Sequence, residues 1–420
     1  MALHIDHRSL YRLPWNLADN PIVWLEPTDH CNLQCDGCYR KNEPKHKSLQ
    51  EIGKDLDVFE SLRKFDSVSI AGGDPLMHPE VLDIVRMIKL RGAKPVLNTN
   101  GHALTRELLR DLKRAGLFGL TLHVDSKQGR PDWKGADEVK MNQLRSTYAD
   151  MVASAGGLAC SFNSTVYPDT LDQVPAVVDW AQREIDKVQT VVFIIFRHAD
   201  LSSGSFDYWA GDRKIHMDEL VYAEKEKRRI DIMANDVVER IRQVQPDFAP
   251  CAYLNGTERP DSFKWLLALR TGNKKRIYGY AGAKWMEATQ SAMHLLQDRY
   301  VAYVSPNVTA KGKASMLLGA AFDPASRRAA LRFGRSLIRH PLDLARRAHA
   351  QSILIIQPID IFADGRQSMC DGCPDVTVHD GKLVWSCRLE ELRKFGQFVR
   401  TVPQREEVVQ QERPAAAAHA

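Results

Sequence analysis

The stretch Asp29-His-Cys-Asn-Leu-Gln-Cys-Asp-Gly-Cys-Tyr-Arg40 constrains this chain more than any other. It sets Cys31, Cys35 and Cys38 shortly after an apolar run, Ile22-Val-Trp-Leu25, that reads as a short strand. Three thiolates this close in sequence can wrap one face of a single metal centre and leave a further position free. An iron–sulfur cube with three protein ligands keeps one iron open to a substrate or cofactor. A zinc ion completed by His30 or His46 is the competing reading, although zinc sites usually show four ligands as two pairs.

The rest of the composition fits metal ligation better than covalent stapling. Six of the eight cysteines fall in two tight clusters, and the start, Met-Ala-Leu-His-Ile-Asp-His-Arg, is too polar for a signal peptide. A reducing, cytoplasmic setting is therefore expected, not a disulfide scaffold. An apolar fraction of 44% supports a substantial core, and a net charge of +5 over 420 residues does not call for a nucleic-acid partner. The longest apolar runs, such as Val191-Val-Phe-Ile-Ile-Phe196, fall far short of the ~20 residues that span a bilayer.

Along the chain, residues 1–20 form an N-terminal extension without clear periodicity. Residues 21–200 then alternate between strand and helix patterns. Strands are expected at Ile22–Glu26, Ser67–Ala71, Pro95–Asn98, Gly119–His123, Ala159–Val166 and Gln189–Phe196, with helices near 49–64, 79–91, 105–115, 142–155 and 171–185. Thr105 followed by Glu107 marks one helix start. Such β-α repeats imply parallel strands joined by right-handed crossovers, hence an α/β fold with a partial (β/α)6 barrel, whose chemistry sits on the loops after the strands. Residues 201–350 read as a mostly helical, basic insert, with a loop at 200–215 and one long helix at 217–245. Residues 351–400, with a strand at Ile353–Ile356 and a helix near 389–399, carry the second cysteine cluster. Residues 401–420 read as a disordered tail.

The spacing of Cys31, Cys35 and Cys38 resembles the signature of the radical S-adenosylmethionine (SAM) enzymes. A second motif, Ala71-Gly-Gly-Asp-Pro75 after the second strand, resembles that family's Gly-Gly-Glu-Pro segment, with Asp74 in place of the commoner Glu. The resemblance implies a catalytic 4Fe–4S cluster whose open iron chelates SAM. Reductive cleavage of SAM to methionine and a 5′-deoxyadenosyl radical would follow, and the radical would abstract hydrogen from an organic substrate. It implies SAM contacts from Gly72, Gly73 and Asp74, with Asn98 and Asn100 near the cofactor and Asp125 and Asn163 nearer ribose or substrate; no residue is assigned a catalytic role. It also implies a flavodoxin- or ferredoxin-like electron donor. The aromatic residue that the family often places before the third cysteine is here Gly37, with Tyr39 after the cysteine instead.

Cys370, Cys373 and Cys387 form a second array, C-x2-C-x13-C, with Asp380-Gly381 as a two-residue hairpin turn that returns Cys387 to the other two. The array resembles the auxiliary 4Fe–4S site of the GTP cyclases of molybdenum-cofactor biosynthesis, which implies a second cluster that tunes electron flow or binds substrate. The terminal Gly-Gly of those cyclases is absent, so the resemblance carries the cluster and not the reaction. Cys251 is the distant candidate for a fourth ligand, a zinc knuckle completed by Cys251 or His379 is the alternative, and Cys160 reads as a core thiol.

Between 325 and 347 lie seven arginines, of which Arg328, Arg332, Arg335 and Arg339 share one helical stripe that either faces solvent or meets a membrane surface. The reading is a radical SAM enzyme acting on a biosynthetic small molecule, a natural-product intermediate or a lipid. The alternatives are a methyl- or adenosyl-transferase on a lipid-like substrate, a nucleic-acid-modifying enzyme using the arginine stripe, and a non-enzymatic zinc module.

Overall fold

Apolar residues at alternate positions of six strands bury one face of a sheet under five helices. The computed structural model describes residues 5–197, 199–200, 206–220, 223–224 and 232–404. After β1 (Tyr11–Arg12), the repeat runs β2 (Ile22–Leu25), α1 (Leu49–Leu62), β3 (Ser67–Ile70), α2 (Val81–Leu90), β4 (Lys94–Thr99), α3 (Arg106–Ala115), β5 (Gly119–His123), α4 (Glu138–Ala155), β6 (Ala159–Val166), α5 (Val174–Arg183) and β7 (Thr190–Ile195). All six strands from β2 to β7 pair in parallel and in chain order. The expected partial (β/α)6 barrel is thus present, with strand limits within a residue or two of expectation.

Local chemistry explains the repeat. Ser48 and Glu51 close a capping box at the start of α1, whose Ile52, Leu56 and Phe59 recur at helical spacing and are fully buried. Thr105 caps α3 by accepting from the Leu108 N–H, and Gly116 ends that helix at a φ of 106°, a conformation that glycine adopts without strain. Leu25, Ile70, Leu97, Leu122, Phe162 and Phe193 pack with these helices in one core. Alternation then turns their strand neighbours, among them Trp24, Asn98, Thr121, Asn163 and Val192, to the concave face.

Beyond β7 the structure departs from expectation. β8 (Ala199–Asp200) pairs with β11 (Ala223–Glu224), while β9 (Phe206–Ala210) and β10 (Arg213–Ile215) form a hairpin where the sequence reads as a loop. The single long helix expected over 217–245 is not formed: Met217–Glu219 is a short 3-10 turn, Ala223–Glu224 is β11 and only Ala234–Val244 is α-helical (α6), while residues 221–222 and 225–231 lie outside the described ones. The insert is not mostly helical throughout. β12 (Ala252–Asn255), β13 (Phe263–Gly272) and β14 (Ile277–Tyr280) join the main sheet, and helices α7 (Ala283–Gln297), α8 (Pro306–Thr309), α9 (Gly312–Gly319) and α10 (Pro324–Arg339) come only after them.

β15 (His349–Ile356) then pairs in parallel with β7 and antiparallel with β13, so the sheet runs β1-β12-β13-β15-β7-β6-β5-β4-β3-β2. Two small hairpins follow, β16 (Asp360–Ile361) with β17 (Gln367–Ser368), and β18 (Val376–His379) with β19 (Lys382–Trp385). Asp380 and Gly381 take φ values of 48° and 71° at the tip of the second, as their two-residue turn requires. The chain continues through α11 (Leu389–Phe395) to β20 (Val399–Pro403), which pairs with β9. Residues 401–403 of the expected disordered tail are therefore in a sheet, and residues 405–420 lie outside the described ones.

Candidate functional site

The cysteine loop leaves the C-terminal end of β2 and is tied down by the next two strand ends. The Gly73 N–H donates to the Thr28 carbonyl at 2.8 Å and the Asp74 N–H to the His30 carbonyl at 2.8 Å. A Cβ on Gly73 would collide with the His30 carbonyl, so the close approach of the two loops requires glycine there. Asp74 is buried, and its carboxylate accepts from the Thr99 hydroxyl at 2.9 Å, the Asn100 N–H at 2.8 Å and the Leu76 N–H at 2.9 Å. The sequence resemblance aimed this carboxylate at SAM; the structure spends it on the ends of β3 and β4. Asn100 in turn donates to Asn32 at 2.8 Å and points Nδ2 at Cys31 Sγ at 3.6 Å.

The three thiols share one environment. Burial first, then Asp125, Cys38 and Cys31, push the Cys35 thiol up; burial first, then Asp74 and Cys38, raise Cys31. Thiols so disposed are poor thiolates until a cation is bound beside them. The Arg40 N–H reaches Cys38 Sγ at 3.5 Å, so two of the three sulfurs have an N–H donor, the kind of contact that tunes iron–sulfur centres. Three thiols on one short loop, two of them with N–H donors, are a donor set that fits a cluster with one open iron.

Asp125 is buried, near Cys35 and bonded to His123. Burial would raise its carboxyl, but the hydrogen bond from His123 Nε2 at 2.8 Å, with the Lys127 and Thr165 N–H groups, holds it low. His123, half-buried and also 3.1 Å from the Thr165 hydroxyl, lies on the concave face, although within the strand-end stretch His123–Ser126 the sequence favours Asp125 over it. Asn98 and Asn163 do face that side. Asn98 Nδ2, Asn163 Oδ1 and Trp24 Nε1 are buried atoms without a partner among the described residues, while the Tyr303 hydroxyl reaches Ser69 and Thr121. The concave face is polar over β2–β6 and aliphatic over β7, β15 and β13, through Val192, Ile194, Leu354, Ile356, Leu267 and Leu269.

The missing aromatic at Gly37 has a structural answer. The Gly37 N–H donates to the Tyr167 hydroxyl at 3.1 Å, and a Cβ at 37 would lie 2.8 Å from that oxygen and 3.2 Å from the Phe196 ring. Tyr167 follows β6, Phe196 follows β7, and their rings lie 4.8 Å apart. Two aromatics from later strands fill the space beside glycine.

The Cys370 and Cys373 thiols are within hydrogen-bond reach of each other, and Cys387 is close enough to Cys373 to feel its charge. A hydrogen bond with Cys370 and then burial raise the Cys373 thiol, and burial followed by Cys373 pushes Cys387 up to about 12. Cys251 does not join them. It precedes β12, whereas Cys370 bridges Gly256 beyond the other end of that strand, about 16 Å along at strand rise. Its thiol, pushed up to about 12 by burial, lies 3.4 Å from the Leu267 carbonyl, packed among Leu13, Trp15 and Met286. Cys160 is buried in the core under the helices.

A buried ion pair links the two arrays. Arg40 pairs with Glu26 and donates to the Ser386 carbonyl at 2.8 Å, while the Ser386 hydroxyl donates to Glu26 at 2.7 Å. Burial opposes the guanidinium charge, but Glu26 and Tyr39 outweigh it and hold Arg40 charged. Arg40 stands two residues after Cys38 and Ser386 just before Cys387, so one network touches both cysteine arrays. Nothing in the local sequence marks this pairing, because the partners are 346 residues apart.

Residues 25–132 match the family model of the radical SAM superfamily. The chain is 23% identical over 283 residues to the Fe-coproporphyrin III synthase of Methanosarcina barkeri, a match covering 64% of this chain and 65% of that protein. It is 33% identical over 113 residues to the GTP 3′,8-cyclase of Aquifex aeolicus, covering 25% of this chain and 35% of that one. The matches thus span less than two thirds of either relative. Among solved structures it is similar to Streptococcus suis SuiB, with 15% identity and a TM-score of 0.38 over 55% of this chain and 47% of that one.

Proposed function

We propose that this chain is a radical SAM superfamily enzyme that uses a 4Fe–4S cluster and S-adenosylmethionine, and that its own residues divide the work as follows. Cys31, Cys35 and Cys38 hold the catalytic cluster, and Cys370, Cys373 and Cys387 hold a second one. A cluster held by Cys31, Cys35 and Cys38 would supply the low-potential electron needed to cleave SAM reductively and so open radical chemistry on a substrate. Gly72, Gly73 and Asp74 position the cluster loop against the SAM site, and Asn100 orients Cys31. Tyr167 and Phe196 offer an aromatic face beside the loop for the adenosyl group. The substrate lies on the concave face, where Asn98, Asn163 and His123 bind its polar end and the aliphatic strands exclude water from the rest. A low-potential flavodoxin- or ferredoxin-like protein delivers the electrons.

The observation that carries this reading is the set of unpartnered buried polar atoms on the concave side of the parallel strands. A buried polar group without a partner costs about 1–3 kcal/mol, a cost that a polar ligand removes. The substrate accordingly combines a polar, hydrogen-bonding end with an apolar remainder. Anaerobically reconstituted protein should contain two 4Fe–4S clusters and form 5′-deoxyadenosine from SAM and a reductant. Cys35→Ala should abolish that cleavage. Cys373→Ala should spare it, remove one cluster from the reduced EPR spectrum and stop conversion of the true substrate. Cleavage that survives Cys35→Ala overturns the assignment.

A further inference from the structure

The arginine stripe legible in the sequence is half of a larger surface. Residues 283–348 hold eleven Lys and Arg against four Asp and Glu, a net +7 in a chain whose total is +5, so the remainder is net negative. The same region holds most of the exposed apolar bulk. Of seventeen large apolar side chains exposed among the described residues, eleven lie between Leu295 and Leu344.

The two halves meet on α10. That helix buries Ser326, Ala329 and Phe333 against α9 and β14, and at 100° per residue this leaves Leu331 and Ile338 on its solvent side. Arg328, Arg335 and Arg339 flank them there. Ile338 is 84% and Leu331 57% exposed. Leu342 and Leu344 continue the apolar strip past the helix end, and Leu317 and Leu318 add to it from α9. Arg332 pairs with Asp247, but Arg328, Arg335 and Arg339 form no ion pair among the described residues.

The surface has a fixed place in the fold. Gly312, at the start of α9, abuts Ala348 and Ala350 at the N-terminal end of β15. At the end of α7, Asp298 pairs with Lys64 and His294 with Asp19, just before β3 and β2. The helices therefore cap the end of the barrel opposite the cysteine loop.

We propose that this face docks on the surface of an anionic phospholipid bilayer, with α10 lying in the interface plane. Exposed leucine and isoleucine enter the acyl boundary while neighbouring arginines snorkel to lipid phosphates. Charge complementarity selects this occupant. A second copy would set one +7 surface against another and be repelled. A small acidic protein would match the charge but leave branched aliphatic side chains on a convex helix without a groove to fill. No helix among the described residues is long and apolar enough to cross a membrane, so contact would be peripheral.

The test is co-sedimentation of the cluster-loaded protein with vesicles of phosphatidylcholine alone or mixed with phosphatidylglycerol. Binding should require phosphatidylglycerol and weaken as salt rises. R328Q/R335Q/R339Q should reduce it about a hundredfold, at roughly fivefold per arginine. L331S/I338S should also reduce it, while R106Q/R110Q/R114Q on α3, an equal loss of charge elsewhere, should leave it unchanged. Thermal melts and light scattering confirm that each variant is folded and keeps its mass. Absence of vesicle binding, equal binding to neutral vesicles, an equal effect of the α3 variant, or a change of oligomeric state in the α10 variants overturns the proposal. Capture of an acidic ferredoxin by this face without vesicle binding also overturns it.

Discussion

At the scale of single residues, the Arg40–Glu26 pair is the most exposed to disruption, because neither side chain has access to water. Two charges moved out of water are held by each other, by Ser386 and, on the arginine side, by Glu390 at 3.6 Å, so removing one strands the other. Arg40→Leu should cost about 3–5 kcal/mol in a denaturant titration, the range for a broken buried pair. The double variant Arg40→Leu/Glu26→Gln should recover much of that loss, since no uncompensated charge remains. Equal losses in the single and double variants would show that packing, not charge, holds the position. A second residue-scale expectation concerns pH. Burial, helped by Arg347 and Lys274 and opposed by Asp186, lowers the pKa of His349. The fold therefore prefers the neutral imidazole. This contribution is present above the ordinary histidine range and is lost as pH falls through it. His349→Asn should flatten part of the loss in thermal midpoint between pH 7 and pH 5, about the span over which histidine titrates.

At the scale of elements, the loops that hold the cysteines depend on glycine as much as on sulfur. Gly73→Ala would drive a methyl into the His30 carbonyl and displace the cysteine loop, while the strand beneath it is untouched. The variant should keep its far-ultraviolet circular dichroism and lose most of the first cluster's iron; full iron content would show that the loop has slack. Strands such as Gly119–His123 and Ala159–Val166 were legible because their apolar residues alternate against a continuous helical core. β13 was not. Its ten residues include Lys264 and Arg270, charged side chains that argue against a buried strand, yet both are fully buried. Lys264 is neutralised by Asp360 at 2.6 Å and Arg270 bonds Gln351 at 2.9 Å, partners 96 and 81 residues away. The same limit applies to the site. Asp74 and Asp125 could be picked out as strand-end carboxylates, but their sequence does not show that both are consumed by neighbouring N–H and side-chain donors. Nor does it show that Cys251 and Cys370 sit at opposite ends of β12.

At the scale of the whole molecule, the sheet is open. β2 and β1 are its two ends, and among the described residues no ladder joins them. The second cysteine array fills that gap and is tied to both sides. On one side Arg12 pairs with Asp371 at 2.7 Å; on the other the Asn20 amide donates to the Gly372 carbonyl at 3.0 Å and Arg63 to the Cys373 carbonyl at 3.2 Å. Arg63 also donates to the Ile22 carbonyl at 2.9 Å, which satisfies a backbone group on the free edge of β2. A cluster held by Cys370, Cys373 and Cys387 would then be a structural clasp as well as an electronic centre, because its ligands fix the turn that spans the seam. Removing it by Cys370→Ser/Cys373→Ser should open the molecule locally and not throughout. Amide exchange should accelerate in Ile22–Leu25 and Ala252–Asn255 and stay slow in β4–β6, whose ladders are complete on both sides. Uniform acceleration would mean that the array supports the whole core, and no acceleration would mean that the seam is held by its side-chain ties alone.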